Sequence, residues 1–217
     1  MCRKYAKRTV KFLSNKPTPT KQIKPVQITK KIGDELKQKQ YKPLFYLFFM
    51  INTLLCRPMK ISDLPAILHL QARVYPADLL ENEDFYRNRL TLAPATCRVA
   101  VKDGTLVGYL IAYPWTSAMP PALNALLNAL PAAADTWFVH DCAVAPQAQG
   151  AGVAAAMLKE SARAAREAGL TRASLVALAN ALPYWRKLGY DAAASSPALA
   201  AKLAGYGPGA VYMTRFF

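Results

Sequence analysis

A turn with two glycines is the place where this sequence could do chemistry. Gln149, Gly150 and Gly152 follow a strand-like run from Thr136 to Val144 and precede an alanine-rich helical run from Ala154 to Ala168. The first N–H groups of a helix have no internal partner, and the helix dipole places partial positive charge there. Glycine lets the main chain approach a phosphate closely. The pattern predicts a phosphate or pyrophosphate cradle built mostly from main chain.

Two well-known phosphate loops do not match this turn. A Walker loop places Lys and Ser or Thr after its last glycine, and this chain has Val153 and Ala154 there. A dinucleotide loop has three glycines and an acidic residue about twenty positions later. This turn has only two glycines, and Arg172 stands at the later position. At this point a plain strand-to-helix turn without a ligand remains an alternative.

The turn instead resembles the acetyl-CoA loop of the GNAT N-acetyltransferase superfamily, whose consensus is Gln/Arg-x-x-Gly-x-Gly/Ala. Gln149, Gly152 and Ala154 fill that pattern, with Val144 and Pro146 upstream. A later segment, residues 180–190, is similar to a second signature of the same superfamily. It opens on an asparagine, carries an aromatic pair and closes on Lys-x-Gly-aromatic: Asn180, Tyr184, Trp185, Lys187, Gly189 and Tyr190.

The flanking elements extend the resemblance from about residue 53 to residue 217. Two apolar runs around Asp103-Gly104 predict a β-hairpin. A first strand near residue 54, a short strand at residues 174–178 and a last strand at residues 210–216 stand where the superfamily has them. The resemblance implies an α/β fold of α+β type, in which a mixed, mostly antiparallel central sheet is flanked by helices.

The resemblance also implies a reaction, the transfer of an acetyl group from acetyl-CoA to a primary amine by direct transfer in a ternary complex. Main-chain groups around Cys142 to Val144 would hold the pantetheine arm, and an N–H near Val144 would meet the oxyanion. Backbone N–H groups along the loop would bind the pyrophosphate: Gln149, Gly150, Ala151, Gly152, Val153 and Ala154. Gln149 replaces the commoner arginine, so one charge-assisted contact is lost.

The candidate bases lie on the strand before the loop. His140 is one of two histidines, and a neutral imidazole can accept a proton near neutral pH. A period of two places Phe138, His140 and Cys142 on one face of the strand. Asp141, the second candidate base, would point to the other face unless a β-bulge turns it. A hydrogen-bonded structural role remains open for His140.

The general acid is less well defined, because the superfamily's tyrosine position is occupied by Trp185, whose indole cannot supply a proton. Tyr184, one residue earlier, is the candidate acid, and protonation of the thiolate by water is the alternative. A CoA thiolate leaves readily because its thiol resembles that of cysteine. Trp185 is expected beside the pantetheine or in the core, and Asn180 is expected to bind the cofactor arm or to cap a helix.

The acceptor is predicted to be a small-molecule amine, with a protein N-terminus or lysine as a variant. A non-catalytic acyl-CoA-binding module is the alternative from another class. Residues 114–135 are expected to form a short helix over the cleft mouth. Tyr75 and Phe85 are expected to line a mostly apolar pocket. Four acidic residues could attract the amine: Asp78, Glu81, Glu83 and Asp84.

Composition divides the chain in two. Residues 1–58 hold half of the 28 lysines and arginines but only Asp34 and Glu35 among the 13 acidic residues. The pI of 9.8 therefore reflects the front segment and gives no evidence for a nucleic-acid groove in the domain. We expect residues 1–49 to be a basic, disordered extension and residues 50–217 to form the catalytic domain. A basic arm that contacts nucleic acid or anionic lipid is the alternative to a solvated tail.

An apolar run from Leu44 to Cys56 is shorter than the ~20 residues of a spanning helix. We expect it to lead into the first strand as part of the core, with an interfacial anchor as the alternative. The four cysteines form no CxxC pair, so neither a metal site nor a disulfide framework is predicted. The predicted location is cytoplasmic. The predicted partners are acetyl-CoA and an amine, without specific nucleic acid and with a homodimer as an option.

Overall fold

The computed structural model describes residues 54–117 and 119–217. The basic front segment and most of the apolar run that follows it lie outside the described residues, so the predictions made for them stay predictions. Within the described ranges, no helix has the length and apolar character needed to cross a membrane.

A seven-stranded sheet forms the centre of the domain, in the order β1-β2-β3-β4-β5-β7-β6. Only the β4–β5 pair is parallel, and all other neighbours are antiparallel. The predicted mixed, mostly antiparallel sheet is therefore confirmed. The strands are β1 (Leu54–Pro58), β2 (Arg98–Lys102), β3 (Thr105–Trp115), β4 (Thr136–Val144), β5 (Arg172–Ala177), β6 (Asp191–Ala192) and β7 (Val211–Phe216).

Helices cover both faces of this sheet. They are α1 (Leu64–Val74), α2 (Glu83–Leu92), α3 (Val153–Glu167), α4 (Leu182–Lys187) and α5 (Pro197–Leu203). Neighbouring residues of β3 show that α2 and α3 lie on opposite sides. The Gly108 Cα faces Val153 and Met157 of α3, whereas the ring of Tyr109 packs on Tyr86 of α2. Since side chains alternate along a strand, the two helices enclose β3 between them.

The predicted hairpin is present, with Asp103 and Gly104 as its two-residue turn. Both residues have positive φ, 51° and 76°, as a turn of type I′ requires.

A β-bulge interrupts β4 at His140. Ile111 pairs with Asp141, but the next residue, Ala112, pairs with Val139, so His140 is the extra residue. A bulge re-aims the side chains on either side of it. Of the two possibilities predicted for Asp141, the bulge is the one present, and Asp141 and His140 both contact side chains from the α1–α2 region.

Beyond the bulge, β4 and β5 separate. Their parallel pairing covers only Thr136–Val139 against Arg172–Leu175. The rest of β5 continues to pair with β7 on its other side. Residues 140–144 of β4 therefore have one main-chain edge on β3 and a second edge that faces a gap in the sheet.

The connection from β3 to β4 contains no helix in its described part, so the short helix expected within residues 114–135 is wrong. Side chains of α2 form hydrogen bonds with main-chain groups of this segment. In a helix those main-chain groups would bond to one another. The Leu127 N–H donates to Asn88 Oδ1, and Arg89 Nη2 donates to the Ala125 carbonyl. Pro120 and Pro121 also supply no N–H to a helix.

A substitution at Gly108 tests how closely β3 packs against α3. A Cβ added there would lie 3.0 Å from Val153 Cγ1 and Met157 Cε and 3.1 Å from the Ala143 carbonyl oxygen. We expect Gly108→Ala to lower the free energy of unfolding by about 1–3 kcal/mol, because the main chain of β4 must shift. Urea denaturation measures the change.

The matched control is Gly205→Ala, whose added Cβ meets nothing within 4 Å. Its stability should be unchanged or slightly raised. Equal stabilities for the two variants would contradict the packing argument.

Candidate functional site

The gap beside β4 opens into a cavity of about 730 Å³. Its walls come from the α1–α2 connection, the second half of β4, the glycine loop with the start of α3, the end of β5 and the start of α4. The cavity thus connects the predicted phosphate loop with the strand that carries the candidate bases.

The glycine loop forms one end of the cavity. Gly150 and Gly152 have φ values of 75° and 78°, in the left-handed region that glycine adopts without strain. Gly152 is the N-cap of α3. In the described part of the chain, the backbone N–H groups of residues 150–155 donate to no protein acceptor, so six donors and the positive end of a helix dipole meet here.

The predicted loop residues line the cavity at Gln149, Gly150, Gly152, Val153 and Ala154, whereas Ala151 is exposed outside the lining. The Gln149 side chain donates from Nε2 to the Val144 carbonyl at 3.2 Å. It therefore binds the loop to the end of β4.

The second half of β4 forms the floor. Cys142, Ala143 and Val144 line the cavity. Within the described chain no strand pairs with their edge toward β5, although the Val144 carbonyl accepts from Gln149. Burial raises the pKa of the Cys142 thiol to about 12, and the nearby Asp141 carboxylate contributes. Cys142 is therefore an uncharged part of the floor at neutral pH.

His140 is held at both ring nitrogens. Its Nε2 lies 2.9 Å from each carboxylate oxygen of Glu81, and Nδ1 lies 3.0 Å from the Tyr113 hydroxyl. The side chains of His140 and Glu81 are only 1% and 4% exposed. Phe85 packs on the imidazole at 4.7 Å between ring centroids. This geometry leaves the imidazole no nitrogen free to bind a substrate directly.

Asp141 lies in a cage of three tyrosine hydroxyls. Tyr75 donates to Oδ1 at 2.7 Å, and Tyr109 donates to Oδ2 at 2.6 Å. The Tyr86 hydroxyl lies 3.2 Å from Oδ2. Burial raises the pKa of Asp141 above its ordinary value, although the hydrogen bonds from Tyr109 and Tyr75 oppose the shift. A carboxyl group with a raised pKa is a stronger base near neutral pH.

Gln71 joins the two acidic groups into one network. Its Oε1 accepts from the Tyr86 hydroxyl at 2.8 Å and from the Glu81 backbone N–H at 3.1 Å. Its Nε2 donates to the Glu81 carbonyl at 2.6 Å. Gln71 therefore holds Glu81 beside His140 and Tyr86 beside Asp141.

The sequence profile of the acetyltransferase (GNAT) family matches residues 64–190, which contain the loop, β4 and this network. The chain belongs to the GNAT acetyltransferase family. No curated protein sequence matches the chain significantly.

Solved structures share the GNAT fold with this chain. The loading GNATL domain of CurA from Lyngbya majuscula aligns with a TM-score of 0.64 and 12% identity, over 76% of this chain and 98% of that one. The GphF GNAT-like decarboxylase, solved with isobutyryl-CoA, aligns at 0.61 with 18% identity, over 75% and 98%. The PaiA N-acetyltransferase from Thermoplasma acidophilum, solved with coenzyme A, aligns at 0.55 with 12% identity, over 76% and 99%.

The second GNAT signature reaches the cavity from α4. Asn180, Tyr184 and Trp185 all line it. Tyr184 is 38% exposed, whereas Trp185 is 8% exposed and packs edge-on against Tyr184 and Tyr190. Burial raises the pKa of Tyr184 to about 12, with a contribution from Cys142. Tyr184 is thus a protonated hydroxyl at the cavity wall, and Trp185 is a packing residue behind it.

The expected acceptor pocket needs two corrections. Phe85 is fully buried behind His140 and does not line the cavity. Among the four acidic candidates only Glu81 reaches the lining; Asp78, Glu83 and Asp84 are exposed, and Glu83 pairs with Arg87. Glu83 and Asp84 lie in the solvent-facing first turn of α2, whereas Glu81 precedes the helix and its buried carboxylate bonds to His140.

The residues that sequence reasoning missed are those that surround the candidate bases: Gln71, Tyr86, Tyr109 and Tyr113. They lie on three different elements, and no spacing in the sequence relates them. The one usable signal was a pair of tyrosines four positions apart on β3, Tyr109 and Tyr113, which a period of two places on one face, although core packing explains such residues equally well.

Asp141 predicts a dependence of stability on pH. Because its pKa is raised in the folded chain, the stabilisation it contributes is fully present below its ordinary pKa. That stabilisation is lost as the pH rises through the folded-state value. Asp141→Asn removes this dependence. From about pH 4 to about pH 8, the free energy of unfolding of the variant should rise relative to that of the wild type. The rise should be about 1.4 kcal/mol for each pH unit by which folding raises the pKa of Asp141.

Urea denaturation of the wild type and of Asp141→Asn at both pH values measures this shift as a difference, so the titration of all other groups cancels. A difference between the two proteins that is the same at both pH values would contradict the raised pKa.

Proposed function

We propose that this protein is an acetyl-CoA-dependent N-acetyltransferase that acts on a primary amine by direct transfer in a ternary complex. The observation that carries the proposal is one cavity, which joins two groups of polar atoms. At one end are five N–H groups, of Gly150 and of residues 152–155, that have no acceptor in the described chain, and at the other is the hydrogen-bonded cluster of Asp141, Glu81 and His140. One end suits the phosphates of acetyl-CoA, and the other suits an amine that must lose a proton.

The donor end binds mostly through main chain. The pyrophosphate accepts hydrogen bonds from the N–H groups of Gly150 and of residues 152–155. The Gln149 N–H, which was predicted to join them, donates instead to the Pro146 carbonyl. The pantetheine arm extends along the edge of Cys142 to Val144 with which no described strand pairs. Asn180 binds the arm from the opposite wall, and Trp185 supports that wall. An N–H near Val144 meets the oxyanion of the tetrahedral intermediate. CoA-bound neighbours with the same fold support this placement.

The proton leaves the amine through Tyr75 to Asp141. Tyr75 lines the cavity and donates to Asp141 Oδ1, so its hydroxyl can take the ammonium proton while it passes its own to the carboxylate. The neutral amine then attacks the thioester carbon. His140, the first candidate base, has both nitrogens occupied. It therefore holds Glu81 and the bulge in place, and it exchanges no proton with substrate.

Collapse of the tetrahedral intermediate breaks the C–S bond and releases the second amine proton to solvent, and Asp141 returns the first proton to solvent through Tyr75. Tyr184 donates its hydroxyl proton to the departing thiolate and is re-protonated from solvent. The products are the amide and CoA. The presence of Tyr184 and Asp141 on one cavity favours this reaction over a non-catalytic acyl-CoA-binding module. The small-molecule acceptor, the cytoplasmic location and the homodimer option stay predictions.

The donor site can be tested with two glycines of α3. Gly152 and Gly169 stand at opposite ends of the helix, both have positive φ, and an added Cβ meets nothing within 4 Å at either one. Aspartate at 152 puts a negative charge into the phosphate cradle. We expect Gly152→Asp in the full chain to bind acetyl-CoA at least about tenfold more weakly, the equivalent of 1.4 kcal/mol, in titration calorimetry.

Gly169→Asp carries the same charge and backbone strain and should bind acetyl-CoA as the wild type does. Equal weakening in both variants would point to a general effect on α3. A folded wild-type protein that binds no acetyl-CoA would overturn the proposed function.

The proton route can be tested with two tyrosines. Tyr75→Phe and Tyr109→Phe each remove one hydrogen bond to Asp141, but only Tyr75 lines the cavity. We expect Tyr75→Phe to lower kcat about 100-fold, as loss of a positioned proton-transfer group does, and Tyr109→Phe to lower it much less. Steady-state kinetics across pH with an accepted amine gives both values.

Equal losses of kcat in the two variants would mean that Tyr75 acts only by holding Asp141, and the relay would be wrong.

A further inference from the structure

The part of the cavity wall that lies outside the glycine loop, the floor and the β5–α4 segment has a composition of its own, and we call it the acceptor end. It is lined by Tyr75, Pro76, Leu79, Glu81, Leu123, His140, Asp141 and Tyr206. These residues come from the α1–α2 connection, the β3–β4 connection, β4 and the segment before β7.

Its charged groups are acidic. Glu81 and Asp141 line the acceptor end, and no lysine or arginine lines any part of the cavity within the described chain. Protonated His140 would neutralise Glu81 alone, and both of its nitrogens already have protein partners. The acceptor end therefore carries a net charge of zero or below unless both acids are protonated.

The nearest buried cation does not change this balance. Arg89 is fully buried behind the site, with its guanidinium carbon 4.5 Å from the Phe85 ring centroid and 5.0 Å from that of Tyr113. It donates to Asn88 Oδ1 and to the Ala125 carbonyl. The Phe85 and Tyr113 rings separate Arg89 from the cavity, so Arg89 offers no N–H to a substrate anion.

The remaining lining is apolar. Leu79 and Leu123 are half-buried and face the cavity from two different connections, and Pro76 and the Tyr206 ring extend the same surface. The Tyr206 hydroxyl is already bonded to the Pro121 carbonyl, so this tyrosine presents mainly its ring. An apolar substituent would bury surface here without leaving polar groups unpaired.

We infer that the acceptor is a cationic primary amine with an apolar substituent and without a carboxylate near its nitrogen. This inference rests on the proposed function. Glu81 and Asp141 attract the ammonium group, whereas the carboxylate of a free α-amino acid would lie close to two acids with no cation to pair with. Like charges held this close discriminate strongly between partners.

Three amines that share the phenylethylamine skeleton test the inference: 2-phenylethylamine, phenylalanine and phenylalaninamide. The full-length protein is assayed with saturating acetyl-CoA, and released CoA thiol is measured. We expect kcat/KM for phenylalanine to be at least roughly 100-fold below that for 2-phenylethylamine, because a carboxylate meets like charge. Phenylalaninamide has the bulk of phenylalanine without its negative charge, so its kcat/KM should be close to that of 2-phenylethylamine.

A new cation at the acceptor end should reverse the preference. Leu79→Arg is expected to raise kcat/KM for phenylalanine about tenfold or more, as one added charge pair of about 1.4 kcal/mol would, and to lower it for 2-phenylethylamine. Leu79→Gln is the control for size and polarity and should not favour phenylalanine. Leu123→Arg gives the same test from the other connection if Leu79→Arg does not fold.

Equal kcat/KM values for 2-phenylethylamine and phenylalanine would overturn the inference and leave the proposed function in place. If kcat/KM falls as far with phenylalaninamide as with phenylalanine, the inference is also overturned, because the bulk of the substituent rather than its charge would then cause the fall. If none of the three amines is acetylated, the inference is wrong. If calorimetry then also finds no acetyl-CoA binding, the proposed function is wrong as well.

Discussion

The separation of β4 from β5 is the constraint on which the site depends. A parallel pair would normally continue along both strands, but here it ends at Val139 and Leu175. The bulge at His140 twists β4 away at that point, and β5 stays with β7. The main chain of β4 must then find polar partners in the gap, since buried N–H and C=O groups are costly to leave unpaired. A ligand with an amide-bearing arm can supply them.

The same bulge turns two titratable side chains into the buried region under α1 and α2. A buried carboxylate is stable only with hydrogen-bond partners around it. Asp141 accepts from the Tyr75 and Tyr109 hydroxyls, and the Glu81 carboxylate bonds to His140 Nε2 and to the Asn124 N–H. This network fixes the geometry and still leaves Asp141 with a raised pKa. Structural and chemical requirements therefore meet in one set of residues.

In the proposed function, the two ends of the cavity recognise their ligands in different ways. The donor end uses main-chain N–H groups at the start of a helix, which explains how an alanine-rich loop without a lysine or arginine can hold phosphates. The acceptor end uses acidic side chains on an apolar wall. Main-chain recognition tolerates many side chains, whereas the acceptor end depends on particular residues such as Glu81 and Leu79.

The sequence by itself determined the features that depend on a few neighbouring residues. These are the turn at Asp103-Gly104, the glycine loop into α3 and the order of strands and helices, because backbone preferences and side-chain periodicity act within one element. Only the tertiary structure decided the surroundings of the candidate bases. Tyr75 and Asp141 are 66 residues apart in sequence, the bulge depends on the partner strand, and α2 side chains determine the path of the β3–β4 connection. Such contacts form only when distant segments pack together, so no local pattern encodes them.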